Sequence, residues 1–164
     1  MNKQIIFHEK QRFNQWWLIA IVLGLNGFFF ISLFWQFVLK KPLGDKPMED
    51  WSLIVTAAVN VSITVLFFLV KLETHLEKDL IVVRFFPLLL KPRKIYRSEV
   101  KTIFVREYKP IQEYGGWGIK GSSNNRAYNI SGKIGLQIIF NDGKKLLIGT
   151  KKKAELETII KQWQ

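Results

Sequence analysis

The sequence predicts an α+β membrane protein: a transmembrane helical hairpin followed by a small antiparallel β barrel or sandwich capped by a C-terminal helix. Three observations lead there. Trp16 to Leu39 is 24 residues without a charged side chain, and Trp51 to Val70 is 20 more. From Lys71 onward the pattern changes to short alternating segments rich in β-branched and aromatic residues. The last dozen or so residues change again, to an apolar stripe at helical spacing.

A bilayer's hydrocarbon core is about 30 Å thick and is crossed by about 20 apolar helical residues, so each run is long enough to span. The first run far exceeds the ~7–15-residue apolar core of a signal peptide. It ends in Leu39-Lys40-Lys41-Pro42, with no small-residue cleavage site. The expected division is therefore residues 1–70, an N-terminal segment plus a hairpin with spans at about 16–39 and 51–70, and residues 71–164, a cytoplasmic β domain. Lys and Arg number 3 before the first span, 3 between the spans and 19 after the second. The connector Lys40 to Asp50 also carries Asp45, Glu49 and Asp50 and is neutral, whereas the tail has a net charge of +10. Basic flanks favour the cytoplasmic side. The expectation is a multi-pass protein of the cell's inner, cytoplasmic membrane with both termini cytoplasmic. Trp16, Trp17, Trp35 and Trp51 fall near the run ends, where indole rings prefer the headgroup level.

Two amides interrupt the apolar runs. Asn26 is the eleventh residue of its run and Asn60 the tenth of its own. Buried amides in hydrocarbon seek partners, so Asn26 and Asn60 are expected to form an interhelical polar pair.

In the tail, Leu80 to Phe86 is a strand by propensity. The turn Glu77-Lys78-Asp79 pairs it with a strand at Leu72 to Leu76. Pro87 and Pro92 around Leu88-Leu89-Leu90 suggest an irregular or edge strand. Val100 to Tyr108 is the next strand and Tyr128 to Ser131 a further short one. Ile134 to Phe140 and Lys144 to Gly149 flank Asn141-Asp142-Gly143, a hairpin signal. Thr150 can cap a helix over residues 151–163. Leu156, Ile159, Ile160 and Trp163 lie on one of its faces. So short a helix is marginal alone and must dock. About seven strands and one closing helix make a pleckstrin-homology-like (PH-like) architecture.

Tyr114-Gly115-Gly116-Trp117-Gly118-Ile119, Ala127 to Gly132, Gly135-Leu136-Gln137 and Ile148-Gly149-Thr150 carry a resemblance. From Leu72 to the C-terminus the chain resembles a largely uncharacterised family of small bacterial membrane proteins with paired transmembrane helices and a PH-like domain. The resemblance implies a fold and a membrane location, and no activity. Eukaryotic phosphoinositide-binding PH domains place a basic cluster around the first hairpin. Here that hairpin is Glu77-Lys78-Asp79 with Arg84 alone behind it.

The residues themselves name two candidate sites. Gly115, Gly116 and Gly118 permit positive φ, Trp117 offers a large amphipathic surface, and residues 121–126 form a polar loop. Tyr114, Gly115, Gly116, Trp117, Gly118, Lys120 and Arg126 are therefore a candidate partner-binding loop, with a tight structural bend as the plainer alternative. A phosphate cradle would need a helix after the glycines, and a strand is expected instead. Lys91, Arg93, Lys94, Lys151, Lys152 and Lys153 are a candidate surface for anionic lipid; a solvated charged face is the alternative.

Other chemistry is poorly provided for. The chain has no cysteine, so disulfides, thiolate metal sites and cysteine nucleophiles are excluded. His8 and His75 are far apart in sequence and lack ligand spacing, so both are expected to be solvated, and neither a metal nor a cofactor is expected. No acid–base cluster suggests an enzyme, and no motif suggests nucleic acid. The expected role is a membrane-anchored, non-catalytic binding or scaffolding module with a protein partner. The alternative is a structural subunit of a larger membrane assembly.

Overall fold

The computed structural model describes residues 5–41 and 43–163. The chain forms two compact units: Asn14–Leu69, and a second that joins the N-terminal residues up to Phe13 to everything from Val70 onward.

The first unit is helical. Helix α1 (Trp16–Leu33) continues through a π-helical stretch, Phe34–Val38, and α2 covers Asp50–Leu69. The stretches Trp16–Val38 and Asp50–Leu69 each have a mean hydropathy of 2.2, and both are long and apolar enough to cross a membrane. Asp50 in the first turn of α2 complements the helix dipole. Gln36 Nε2 ties the connector to the helices by donating to Met48 O (2.9 Å) and Asp50 Oδ1 (2.6 Å).

The polar contact between these helices is not the expected one. Asn26 Nδ2 donates to Thr64 Oγ1 at 2.8 Å and to Val22 O at 2.8 Å, and Thr64 Oγ1 donates in turn to Asn60 O at 2.9 Å. Asn60 Nδ2 is buried without a hydrogen-bond partner. The reason is geometric. In an antiparallel pair depth must be counted from one end: Asn26 lies 13 residues before Leu39, and Thr64 lies 13 residues after Trp51. Asn60 is one helical turn too shallow.

Among the described residues, the second unit holds nine strands in two sheets. Strands β1 (Ile5–Arg12), β2 (Lys71–Glu77), β3 (Leu80–Phe86) and β4 (Arg93–Tyr96) form an antiparallel sheet in that order. The second sheet has the order β5-β8-β9-β7-β6, from β5 (Val100–Glu107), β6 (Gly118–Gly121), β7 (Asn125–Asn129), β8 (Ile134–Phe140) and β9 (Lys145–Gly149). A short helix α3 (Pro110–Tyr114) follows β5, and α4 (Lys153–Trp163) ends the chain. One core runs through both sheets and α4. Phe7, Leu72, Ile81 and Phe85 meet Leu136, Ile138 and Ile148, and Leu156, Ile160 and Trp163 close it, with Ile159 packed at its margin. Trp163 Nε1 donates to Glu77 O at 2.9 Å.

Several expectations change. The sheets do not close into a barrel, and β7 pairs with β9 in parallel. Residues 5–12 do not belong with the helical pair: they form β1, with Arg12 opposite Lys71 and His8 opposite His75. Phe7, Glu9 and Gln11 face inward. Glu9 Oε2 accepts from Thr150 Oγ1 (2.6 Å), Glu9 Oε1 accepts from the Lys151 amide (2.8 Å), and Gln11 Nε2 donates to Gly149 O (2.7 Å). These bonds tie residues 149–151 to β1, and α4 begins at Lys153, two residues later than expected. The edge strand lies at Arg93–Tyr96, after the proline-bounded leucines, because Leu88 to Pro92 has no ladder partner. The short strand expected at Tyr128 to Ser131 runs Asn125–Asn129, and the polar loop before it is largely the β6–β7 hairpin.

Candidate functional site

The glycine–tryptophan stretch is built by α3. Pro110 sits in its first turn, where the missing N–H costs nothing. Gly115 ends the helix with φ +74°; its amide donates to Ile111 O and that of Gly116 to Pro110 O, both at 2.9 Å. The Gly115 bond is that of the αL cap, a left-handed helix end that glycine favours. Gly121 is required more strictly, since its φ is +86° and a Cβ would run into Asn125 O.

Below the loop lies a second small core of Tyr108, Tyr114, Ala127 and Leu147. Buried Asn129 ties it together, accepting from the Gly118 amide at 2.8 Å and donating to the Tyr108 hydroxyl at 2.9 Å. Arg106 organises the other side. It donates to Gln137 Oε1 (3.0 Å), Glu113 Oε2 (2.7 Å) and the Tyr114 hydroxyl (3.3 Å), which donates to Asn125 Oδ1 (3.3 Å). The hydrogen bond to Glu113 raises the Arg106 pKa, and the same bond holds the Glu113 carboxyl below its ordinary value. Burial pushes both Tyr108 and Tyr114 up. Each of these groups is saturated by an internal partner, which describes a support for the loop.

What the loop presents is a groove of about 600 Å³ lined by Tyr108, Lys109, Pro110, Ile111, Trp117 and Lys133, with Glu107, Gln112 and Glu113. Ile111 is 68% exposed and Trp117 39%. Trp117 is held from one side by a 3.3 Å bond from Nε1 to Gly132 O. Of the seven candidate loop residues, only Trp117 lines the groove. Tyr114 is buried in the small core, Gly115, Gly116 and Gly118 shape the turn, exposed Lys120 sits on β6, and half-buried Arg126 sits on β7. Ile111, Lys109 and Lys133 were missed. Proline at the start and glycine after the end of α3 was a legible signal for that helix, which carries Ile111 and follows Lys109, whereas Lys133 arrives from the β7–β8 connection without a local signal.

The six candidate lipid-facing cations do not form one patch. Arg93 points inward, donating to the Tyr128 hydroxyl at 3.3 Å and lying 5.4 Å from the Phe140 ring centroid. Lys94, Val82, His75 and His8 make one row across the first sheet. That row puts Lys94 on the β4 edge, whereas Lys152 Nζ lies 3.4 Å from His8 O on the β1 edge. Three strand spacings separate the edges, about 14 Å. Lys152 also pairs with Glu155 at 2.9 Å, Lys153 approaches Glu107 at 3.9 Å, and the Lys151 amide is held by Glu9. Lys91 is exposed in the loop between β3 and β4.

The register assembles a different basic group. Arg12, Lys71 and Phe86 form a row four residues closer in sequence to α1 than the His8 row, and about 13 Å from it along the strands. Glu73 receives Lys71 at 3.2 Å and Lys10 at 3.6 Å, opposite Arg84. Burial pushes Glu73 up, but Lys71, Lys10 and Arg84 outweigh it and the carboxyl stays below its ordinary value. His8 and His75, expected to be separate, stack with ring centroids 4.3 Å apart and planes 5° from parallel. Burial, then the neighbouring His8, lowers the His75 pKa, and its Nδ1 is buried without a partner.

These features define a class: an α+β chain with two long apolar helices inserted between the first and second strands of a two-sheet domain. The chain belongs to the family of unknown function DUF6141, whose profile matches residues 1–162. Comparison with curated proteins finds no match.

Proposed function

We propose that this chain is a membrane-anchored, non-catalytic binding or scaffolding module whose β domain works at the cytoplasmic face. The observation that carries the reading is the pairing of β1 with β2, Arg12 opposite Lys71. These strands flank the two apolar helices, so if the helices span, both flanks fold into one domain in one compartment. The basic flanks favour the cytoplasmic side. Two sheets around one core closed by a C-terminal helix support a PH-like scaffold, with the parallel β7–β9 pair as its departure from that pattern. The groove beside Trp117, apolar and bordered by Lys109 and Lys133, is the surface offered to a protein partner. Its supporting polar groups are internally paired, which suits recognition better than chemistry.

The test uses the absence of native cysteine. A single cysteine replacing Lys46 in the connector should react with an impermeant maleimide on intact cells, and one replacing Lys78 should react only after permeabilisation. The reverse pattern would refute the orientation. Complete extraction of the protein by carbonate would refute the anchoring.

A further inference from the structure

Among the described residues, the most exposed large apolar side chain of the β unit is Leu90, at 85%, with Leu88 at 54% and Phe86 at 37%. Leu88 and Leu90 sit in the loop of residues 87–92 that joins β3 to β4. The loop is held rather than loose. The Leu89 amide donates to Phe85 O at 2.6 Å, and its side chain packs on the main core, leaving Leu88 and Leu90 outward on either side. Exposed apolar groups gathered on one fixed loop mark a contact surface more than scattered single ones do.

We propose that this loop is a lipid-inserting element, seating Leu88 and Leu90 in the interfacial layer of the same bilayer that the two apolar helices cross. The inference rests on the anchored reading above and adds a second, independent contact with lipid. Strand register selects the occupant. β3 ends at Phe86, which lies opposite Lys71, and Lys71 lies opposite Arg12. Lys71 follows the last residue of α2 by two positions, and Arg12 precedes the first residue of α1 by four. With ~4.8 Å between strands and ~3.5 Å per residue, Phe86 lies within about 12 Å of the end of α2 by chain connectivity alone. The interfacial layer on each side of the hydrocarbon is about 5–8 Å deep, so a loop continuing from Phe86 reaches it. At the other end of β3 the Glu77-Lys78-Asp79 turn is six strand residues, about 20 Å, farther away. The charges agree. Lys10, Arg12, Lys71 and Arg84 lie on the strands at this end and Lys91 on the loop, against one carboxylate, Glu73. Cations flanking apolar groups suit an interface with anionic headgroups, and their attraction is confined to about 8–10 Å at physiological salt. The Lys94 row is about 13 Å farther along the strands from Phe86.

The test uses the full chain reconstituted in phosphatidylcholine–phosphatidylglycerol vesicles. Leu90→Cys, Leu88→Cys and, as the distal reference, Lys78→Cys each carry a polarity-sensitive fluorophore. The labels at positions 88 and 90 should emit to the blue of the label at 78. They should be quenched by lipid-borne nitroxide and resist aqueous iodide severalfold better. Iodide access at position 90 equal to that at position 78, in protein that survives a carbonate wash, would overturn the proposal and leave the anchoring intact. Shielding from both quenchers would also overturn it, by placing protein over the loop. Loss of the protein in the wash would remove the anchored reading and this proposal with it.

Discussion

Glu9 should be among the most costly single positions in the β unit, although it sits in what reads as a polar N-terminal flank. The residue is 6% exposed, and its carboxylate accepts from the Thr150 hydroxyl at 2.6 Å and the Lys151 amide at 2.8 Å. Hydrogen bonds to a charged group contribute roughly 1.5–3 kcal/mol each, and a buried donor stripped of its acceptor costs about 1–3 kcal/mol. Thr150 is 4% exposed, so water does not readily replace the lost partner. Glu9→Ala should therefore destabilise by about 3–5 kcal/mol, a large part of the ~5–15 kcal/mol that holds a domain together. Glu9→Gln keeps one acceptor oxygen and turns an NH₂ toward a donor, so about half that loss is expected. Pulse proteolysis of the full chain in detergent across a urea series reads the midpoint directly. Glu155→Ala, on the exposed start of α4, is the reference. If Glu9→Ala shifts the midpoint no more than Glu155→Ala, the strand does not bind the α4 junction as described.

The Asn26–Thr64 bond should show as coupling: Asn26→Leu and Thr64→Val together should cost about 0.6–1.7 kcal/mol less than their sum in a detergent-unfolding cycle. Asn60→Leu should be additive with Asn26→Leu, and the reverse result would restore the pairing of the two amides. The lowered His75 pKa makes the fold acid-sensitive: the folded form binds fewer protons than the unfolded chain, so stability present above ~6.5 should fall as pH drops toward the lowered value. His75→Gln should flatten a urea-midpoint profile across that window, and an unchanged profile would exclude His75 as the cause. Replacing residues 14–69 by a short Gly-Asn-type hairpin turn should leave a soluble β unit with a cooperative melt, because Arg12 and Lys71 are already opposite each other. A chain that melts without cooperativity would show that the helices support its core.

What the sequence made legible was local. The two apolar helices, the Glu77-Lys78-Asp79 turn between β2 and β3, the Asn141-Asp142-Gly143 turn between β8 and β9, and the α4 stripe all declare themselves within about twenty residues. β1 did not. Its inward positions are Phe7, Glu9 and Gln11, so the expected apolar alternation is broken by two polar residues whose partners lie 138 to 142 positions away. The His8–His75 stack was hidden for the same reason, since it needs a register set across both helices. β6 contains two glycines in four residues and has little strand propensity of its own; pairing with β7 decides it. In the candidate site, Trp117 was visible as an aromatic among glycines. Its neighbours Ile111 and Lys133 come from α3 and the β7–β8 connection, and only the fold brings them together.

The position of β1 also says how the two units depend on each other in folding. Pairing β1 with β2 closes a loop of 58 residues, Phe13 to Val70. For a flexible chain that closure costs roughly 3–4 kcal/mol in entropy, more than an edge strand of eight residues comfortably offsets. The intervening residues are not flexible. α1 and α2 run antiparallel, joined at Asn26–Thr64 and again where Gln36 meets Asp50. Asn14 and Leu69 therefore leave the helical unit at the same end. Most of the closure is complete once the helices have paired, and β1 needs to add only the Glu9 and Gln11 bonds and the burial of Phe7. The expected order is helices first and the β1–β2 ladder second, and slowed ladder formation in an Asn26→Leu, Thr64→Val chain would check it. If the helices cross a membrane, the residues that bind β1 to the C-terminal half of the domain are the ones that hold the N-terminus on the same side as the tail.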